Sequence, residues 1–222
     1  GLLYKNLNYD ALKSFTPVAM LSDAPFILVV NAASKVQSPR ELIELSKTNT
    51  KGLSYGSSGV GAGPHLATEL FIRATGANFI HVPYKGSAPA MQAVLAGEVD
   101  TAILDLSAMT QVTAGKLRAL AVTSASRSAL VPGVPTMAET GIRNVEVPSG
   151  QGLLMPAGTP RDIVSRVNAA INQALATEEV KKAFMARGFT PAPNTPEGFG
   201  AFLQSEYQKY ADLTARIQIN LE

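Results

Sequence analysis

One loop of the sequence has the composition of an anion-binding site. Residues 56–65 contain four glycines and two serines, and they join a predicted strand to a predicted helix. Glycine lets main-chain N–H groups reach a ligand without a Cβ in the way, and the first N–H groups of a helix carry a positive partial charge. These donors can hold a carboxylate, phosphate or sulfate, and the alternative is a Gly-rich turn without a ligand. The candidate ligand-binding residues of this loop are Ser57, Ser58, Gly59, Gly61, Ala62 and His65.

A second junction of the same kind follows the next predicted strand, at residues 84–87. Ser87 can cap the following helix, main-chain N–H groups near Gly86 can bind the same anion, and Tyr84 can form a wall of the pocket. Asp105 ends a further strand, where it can accept hydrogen bonds from a ligand amine or water, or cap Ala108 of the next helix. We therefore add Tyr84, Gly86, Ser87 and Asp105 to the candidate ligand-binding residues.

The first loop does not fit two better-known phosphate-binding motifs. A P-loop requires Gly-Lys-Ser/Thr, whereas Gly63 is followed here by Pro64 and His65. The dinucleotide fingerprint GxGxxG requires a third glycine, and proline occupies that position. The sequence therefore predicts neither nucleotide triphosphate nor dinucleotide binding.

Catalytic and metal-binding residue types are scarce. The chain has two histidines and no cysteine, and it lacks a GxSxG elbow and any His, Asp and Glu cluster with metal-ligand spacing. His65 can donate to an anion or be structural, while His81 lies inside an apolar strand and is interpreted as a buried, hydrogen-bonded histidine. We therefore expect no enzyme activity, no cofactor and no metal ion.

The overall composition excludes several protein classes. The 222 residues are 46% hydrophobic with a net charge of +2, which disfavours disorder. No stripe of Lys and Arg with interleaved aromatics suggests a nucleic-acid partner, and no apolar run is long enough for a membrane-embedded helix. Because the chain begins at Gly1 without Met, we expect a mature or trimmed product whose signal peptide has been removed.

Strands and helices alternate along the sequence, which favours parallel βαβ units. Ligands of such α/β folds bind outside the carboxyl ends of the strands, where both candidate loops lie. The predicted strands are 26–30, 53–55, 79–82, 99–104, 117–123 and 153–155, and the predicted helices begin near 38, 65, 87, 136, 160, 178 and 196.

Several segments, taken in order, resemble one protein family. They are FTPVA at 15–19, YGSSG at 55–59, HLA at 65–67, ELF at 69–71, HVPYKG at 81–86, GEVD at 97–100, GKLRALAVT at 115–123, GLL at 152–154 and PAGTP at 156–160. This ordered set resembles the Bug family, the periplasmic receptors of tripartite tricarboxylate transporters, over essentially the whole chain.

The resemblance implies an α/β, type II periplasmic-binding-protein fold with two lobes and a ligand cleft between them. Residues 1–35 and 117–222 would form lobe 1, and residues 36–116 would form lobe 2. The implied ligand is a small organic carboxylate (a dicarboxylate, tricarboxylate, amino acid or aromatic acid), captured in the periplasm for delivery to membrane transporter components. The alternative on the same fold is a ligand-sensing domain or a two-component-system signalling receptor.

The sequence departs from the family pattern at two places. The strand and the Pro/Gly-rich turn that open family members are absent, so the resemblance implies that the N-terminal part of lobe 1 is missing. Bulky aromatics often precede Gly-Leu-Leu in the family, whereas this chain has Ser149, Gly150 and Gln151 there. The identity of the carboxylate therefore cannot be transferred from a relative.

Overall fold

The computed structural model describes residues 2–4 and 6–215 of the chain. The strands are β1 Phe15–Asp23, β2 Ile27–Asn31, β3 Leu53–Ser57, β4 Phe79–Pro83, β5 Thr101–Leu104, β6 Leu117–Val122, β7 Gln151–Pro156 and β8 Thr190–Pro191. The helices are α1 Pro39–Thr48, α2 Gly63–Thr75, α3 Ser87–Ala96, α4 Met109–Thr113, α5 Arg161–Leu175, α6 Glu178–Met185 and α7 Pro196–Thr214, with 3-10 turns at Leu106–Ala108 and Ala138–Thr140. Each predicted strand and each predicted helix but one is confirmed; the helix expected near 136 is the 3-10 turn Ala138–Thr140, and β1 and β8 were not predicted.

The chain divides into two compact units. Unit 1 comprises Gly1–Asp23 and Gly150–Glu222, and unit 2 comprises Ala24–Ser149. In unit 1, β1 pairs antiparallel with β7 and with β8. Helices α5 and α7 pack against β1, and Val18, Ala19 and Val164 form the centre of the apolar core there.

Unit 2 contains a five-stranded sheet in the order β4-β3-β5-β2-β6. β3 runs parallel to β4 and β5, as the βαβ pattern predicts, but β2 is antiparallel to both β5 and β6, so the sheet is mixed. β2 lies between two strands, and its residues 27–30 are buried, which confirms the interpretation of its apolar run. An apolar core of the unit joins this sheet to α3 and the 3-10 turn after β5.

The observed units differ from the predicted lobes in where the chain crosses between them. β2 and β6 were predicted in lobe 1, but both lie in the sheet of unit 2 because each β2 residue pairs with β6 or β5. The hydrophobicity of these strands does not reveal which sheet they join, since pairing partners far along the chain decide it.

Two predicted helix starts are confirmed by their capping bonds. Ser38 Oγ accepts from the N–H of Glu41 at 3.2 Å, and Thr195 Oγ1 accepts from the N–H of Gly198 at 3.1 Å. At α5 the N-cap is Pro160, and Thr159 instead donates its hydroxyl to the Pro156 carbonyl at 2.8 Å.

Candidate functional site

Three loops meet at one edge of the unit 2 sheet. They follow β3, β4 and β5, and β3 is parallel to both of its neighbours, so the carboxyl ends of all three strands lie on the same side. The predicted ligand-binding residues lie at this edge: Ser57 is the last residue of β3, 58–65 follow it, 84–87 follow β4, and Asp105 follows β5. The fold therefore collects them at the edge where α/β folds bind ligands.

Main-chain hydrogen bonds join the first two loops directly. The N–H of Tyr84 donates to the carbonyl of Ser57 at 3.0 Å, and the N–H of Gly86 donates to the carbonyl of Ser58 at 3.2 Å. Gly59 and Gly86 have φ angles of 134° and 115°, which residues with a Cβ rarely adopt. The two loops thus form one hydrogen-bonded unit whose turns depend on these glycines.

The helices that start in these loops, α2 and α3, have no side-chain cap. The N-cap of α3 is Gly86 and Ser87 is the first helical residue, so the prediction that Ser87 caps this helix is wrong. The physical reason is that Gly86, with a φ of 115° that favours glycine, occupies the N-cap position, so Ser87 already lies inside the helix. In the described part of the chain, no hydrogen bond satisfies the first-turn N–H groups of Gly63 and His65 in α2, or of Ser87 and Ala88 in α3.

Three other main-chain N–H groups of the first loop are engaged within the loop. Gly59 N–H donates to Ser57 Oγ at 3.2 Å, Gly61 N–H donates to His65 Nδ1 at 2.9 Å, and Ala62 N–H donates to the Gly59 carbonyl at 3.2 Å. These groups fix the shape of the loop, and the first-turn N–H groups of α2 are among the main-chain donors that stay available. Ligand contact by Gly59, Gly61 and Ala62 stays a prediction.

Ser57 is fully buried, with 0% of its surface exposed. Its hydroxyl lies 2.6 Å from His81 Nε2 and 3.2 Å from the Gly59 carbonyl. Burial, and then the neighbouring His65, lowers the pKa of His81 from 6.5 to about 4. This Ser–His pair is a poor nucleophile and base, because the hydroxyl is closed off and the imidazole is weakly basic.

His65 is buried at the start of α2, where its Nε2 lies 3.8 Å from Glu69 Oε1. The same carboxylate oxygen accepts a 2.7 Å hydrogen bond from the phenol of Tyr55. Burial lowers the pKa of His65, so the ring is neutral at neutral pH. Tyr55, His81 and Glu69 were not predicted as site residues. The i,i+4 spacing of His65 and Glu69 could have indicated the second contact, whereas the pairing of Tyr55 with His81 depends on the strand register.

Three side chains of the candidate loops carry hydroxyl groups without a hydrogen-bond partner among the described residues. Ser58, Tyr84 and Ser87 are each partly exposed, so their hydroxyls can reach a ligand or water. Tyr84 packs against the apolar core that joins the unit 2 sheet to α3, and its Cε2 would lie 3.5 Å from a Cβ on Gly56. These residues fit the predicted donor set, and their contact with a ligand stays a prediction.

Asp105 caps the 3-10 turn after β5. Its carboxylate accepts from the N–H of Ser107 at 3.0 Å, while the N–H of Ala108 bonds to the Asp105 main-chain carbonyl at 3.2 Å. The capping alternative is thus confirmed, with Ser107 rather than Ala108 as the side-chain partner. The second carboxylate oxygen leaves room for the ligand contact, which stays a prediction.

Two surface cavities lie away from these loops. A cavity of about 540 Å³ in unit 1 is bordered by Phe15, Leu154 and Arg161 among others, and one of about 410 Å³ in unit 2 is bordered by Arg40 and Arg143 among others. Neither is lined by a predicted ligand-binding residue. Within residues 2–4 and 6–215, no three His, Cys, Asp or Glu side chains converge to hold a metal ion, and no described helix has the length and apolar character to cross a bilayer.

The sequence matches the family described as "Tripartite tricarboxylate transporter family receptor" over residues 2–219. It is 37% identical to Protein BugT of Bordetella pertussis over 210 residues, which are 94% of this chain and 64% of BugT. A "UPF0065 protein" of Pseudomonas sp. strain P51 is 35% identical over 98% of this chain. The chain spans 64–65% of the length of these two relatives.

Solved structures of similar proteins share the fold. The Rhodopseudomonas palustris protein Rpa4515, solved with adipate, superposes with a TM-score of 0.82 at 31% identity, covering 96% of this chain and 73% of that one. MatC of the same organism, solved with bound malate, gives a TM-score of 0.80 at 29% identity, covering 96% of this chain and 74% of that one. The fold is therefore the α/β type II periplasmic-binding-protein fold that the resemblance implied.

Proposed function

Since the chain belongs to the family of tripartite tricarboxylate transporter receptors, we propose that it binds a small organic carboxylate at the loops after β3 and β4. The proposal includes a periplasmic location and delivery of the ligand to membrane transporter components, both of which rest on the family. It also holds that the ligand is bound without being chemically changed.

One observation carries the binding proposal: two uncapped helices start side by side, at the ends of adjacent parallel strands. The first-turn N–H groups of α2 and α3 have no partner among the described residues, and main-chain bonds hold their loops together. A carboxylate between them can accept from both helices without any formal positive charge in the site.

The available donors are sufficient for useful affinity. Each helix N-terminus contributes about 0.3–1 kcal/mol to binding an anion, and each hydrogen bond to a charged group contributes about 1.5–3 kcal/mol. The hydroxyls of Ser58 and Ser87 add to the first-turn N–H groups of Gly63 and Ser87. A few such contacts approach the roughly −8 kcal/mol of a micromolar complex.

The relatives support a carboxylate as the ligand class. Adipate and malate, found with Rpa4515 and MatC, are both dicarboxylates of fewer than ten carbons. The α2 and α3 termini suit the charged carboxylate that such ligands share. Which carboxylate this chain selects depends on contacts with the rest of the ligand.

The test is a calorimetric titration with a panel of dicarboxylates, tricarboxylates, amino acids and aromatic acids. We expect saturable binding of at least one member with a dissociation constant in the micromolar range. The matched control is the uncharged diamide of the best ligand, which keeps the carbon skeleton and removes the carboxylates. Equal affinity for the diamide, or turnover of the ligand detected by NMR, contradicts the proposal.

A further inference from the structure

The aromatic rings of Tyr55, His65 and His81 pack in nearly parallel planes beneath the first loop. Tyr55 and His81 are direct partners on β3 and β4, with ring centroids 4.7 Å apart and planes 16° apart. The His65 ring, from α2, lies 4.1 Å from the His81 ring at 9°. The three rings therefore connect two strands and the helix that the loop enters.

Each histidine of this cluster contacts the loop through one nitrogen. His65 Nδ1 accepts the Gly61 N–H at 2.9 Å, so this nitrogen carries no proton and the neutral ring bears its proton on Nε2. His81 Nε2 contacts Ser57 Oγ, which in turn bonds both the N–H and the carbonyl of Gly59. The cluster is thus hydrogen-bonded to the main chain at Gly59 and Gly61.

The loop in this shape requires a neutral His65. If His65 Nδ1 were protonated, it could no longer accept the Gly61 N–H, and the two N–H groups would face each other. If His81 were protonated as well, two positively charged rings would lie 4.1 Å apart. The polar groups that face the histidine pair are the phenol of Tyr55, the carboxylate of Glu69 and the hydroxyl of Ser57. Glu69 Oε1 accepts from the Tyr55 phenol at 2.7 Å and lies 3.8 Å from His65 Nε2, which is beyond hydrogen-bond distance.

We propose that Ser57, His65 and His81 are positioning residues of the carboxylate site, which hold the loop at 57–62 so that the first turn of α2 stays open to the ligand. They act through the N–H groups of Gly59 and Gly61 rather than by touching the ligand. This inference rests on the proposed function, and it moves Ser57 and His65 from the ligand-contacting set to the supporting set. It also assigns a role to His81, which the sequence placed only in an apolar strand.

The first test compares substitutions that delete a contact with substitutions that keep it. His65→Ala removes the acceptor of Gly61, whereas His65→Asn places an amide oxygen near the position of Nδ1. Likewise His81→Ala is paired with His81→Gln, whose terminal amide reaches the position of Nε2. We expect His65→Ala to weaken carboxylate binding about five- to tenfold, as for loss of one hydrogen bond, and His65→Asn to restore most of it.

Ser57→Ala has a matched control in the same unit. Ser46 is also 0% exposed, and its hydroxyl donates to the Ile43 carbonyl at 2.7 Å and accepts from the Asn78 N–H at 3.2 Å. Asn78 directly precedes β4, so this pair lies at the end of the strands opposite the loops. Ser46→Ala loses an equivalent buried hydroxyl without touching residues 57–62. We expect both variants to lose similar stability, but only Ser57→Ala to lose affinity.

Amide hydrogen exchange measured by NMR reports how well the main-chain N–H groups of the loop are protected, without any ligand present. Exchange of the Gly61 N–H should accelerate in His65→Ala and stay slow in His65→Asn. Exchange of the Gly59 N–H should accelerate in Ser57→Ala and in His81→Ala, and stay slow in His81→Gln. If the wild-type protein binds carboxylates and the Ala variants at 57 and 65 bind equally well, the positioning role is overturned and the proposed function stands. If the wild-type protein binds no carboxylate of the panel, both are overturned.

Discussion

The phenol oxygen of Tyr55 lies 2.7 Å from Glu69 Oε1 and connects the centre of β3 to the second turn of α2. Tyr55 is 1% exposed, and burial together with the neighbouring Glu69 carboxylate raises its pKa far above the ordinary value. The phenol is therefore always a donor to this carboxylate. The bond fixes α2 against the sheet one turn beyond the uncapped N–H groups that face the candidate site.

We expect Tyr55→Phe to lower the free energy of unfolding by about 1–3 kcal/mol, because the Glu69 carboxylate loses its short hydrogen bond while it stays largely buried. The measurement is urea denaturation followed by circular dichroism. Tyr4→Phe, which removes the hydroxyl of a side chain that is 52% exposed, is the matched control and should be nearly neutral. Equal stability of the two variants would show that the Tyr55–Glu69 bond contributes nothing net.

Stability should decrease as the pH falls from about 6.5 to about 4, because of the two histidines. The pKa of His81 is lowered from 6.5 to about 4, and burial lowers that of His65. Between these pH values the unfolded chain binds more protons than the folded one, so the free energy of unfolding rises with pH and is at its full value above 6.5. Urea denaturation at a series of pH values measures this slope.

The control for this pH dependence is the double variant with His65→Asn and His81→Gln, which cannot titrate at either position. Its stability should be flatter between pH 6.5 and 4 than that of the wild-type protein. The exposed carboxylates of Asp10 and Glu139, whose pKa values are lowered, are protonated at lower pH. There the wild-type protein and the double variant should lose stability alike. Parallel curves for the two proteins above pH 4.5 would rule out the histidines as the cause.

The loops that carry the candidate site were predictable because glycine, serine and proline mark where strands give way to helices. The partners of individual polar groups were not. Ser57 and His81 lie 24 positions apart, and only the parallel register of β3 and β4 brings them together. Sequence spacing indicates neighbours within one helix, as for His65 and Glu69, but it does not indicate register between strands.

β1, one of the two strands that were not predicted, shows a second limit. Pro17 interrupts its apolar pattern, and a proline normally argues against a strand inside a sheet. In the structure the register of β1 against β7 shifts between Pro17 and Ala19. Proline has no N–H to donate, and it lies where the regular hydrogen-bond pattern between the two strands is already interrupted. Such an irregularity depends on the partner strand, which the local sequence does not contain.

The two possible roles of Asp105 can be separated by substitution. Asp105→Ala removes the acceptor for the Ser107 N–H and should cost about 1 kcal/mol of stability as a lost cap, whereas Asp105→Asn keeps an acceptor oxygen. If Asp105 also accepts from a ligand amine, Asp105→Asn should weaken the binding of amino acids and leave the binding of simple dicarboxylates unchanged. Calorimetric titration of both ligand types, with thermal melts of both variants, checks the two expectations.

Equal losses for amino acids and dicarboxylates in Asp105→Asn would indicate a change in the loop rather than a contact with the amine. Unchanged affinity for every ligand would leave Asp105 with its capping role alone. Both outcomes can be read only in a variant whose melting temperature matches that of the wild-type protein, which is why the Asn substitution carries the test.

Ser58→Ala should weaken carboxylate binding and leave folding nearly intact. The Ser58 hydroxyl has no hydrogen-bond partner among the described residues, while its main-chain carbonyl accepts from Gly86 and is unaffected by the substitution. Loss of one hydrogen bond to a charged ligand predicts a decrease in affinity of about tenfold or more, measured by calorimetric titration. Ser126→Ala, which removes an exposed hydroxyl elsewhere in unit 2, is the matched control and should bind as the wild-type protein does. The contrast with Ser57 distinguishes the two roles. Ser57→Ala removes a buried hydroxyl one residue earlier, so it should lose stability, whereas Ser58→Ala should lose affinity and keep its stability. Wild-type affinity in Ser58→Ala would remove this hydroxyl from the site and leave the helix N–H groups as the main donors.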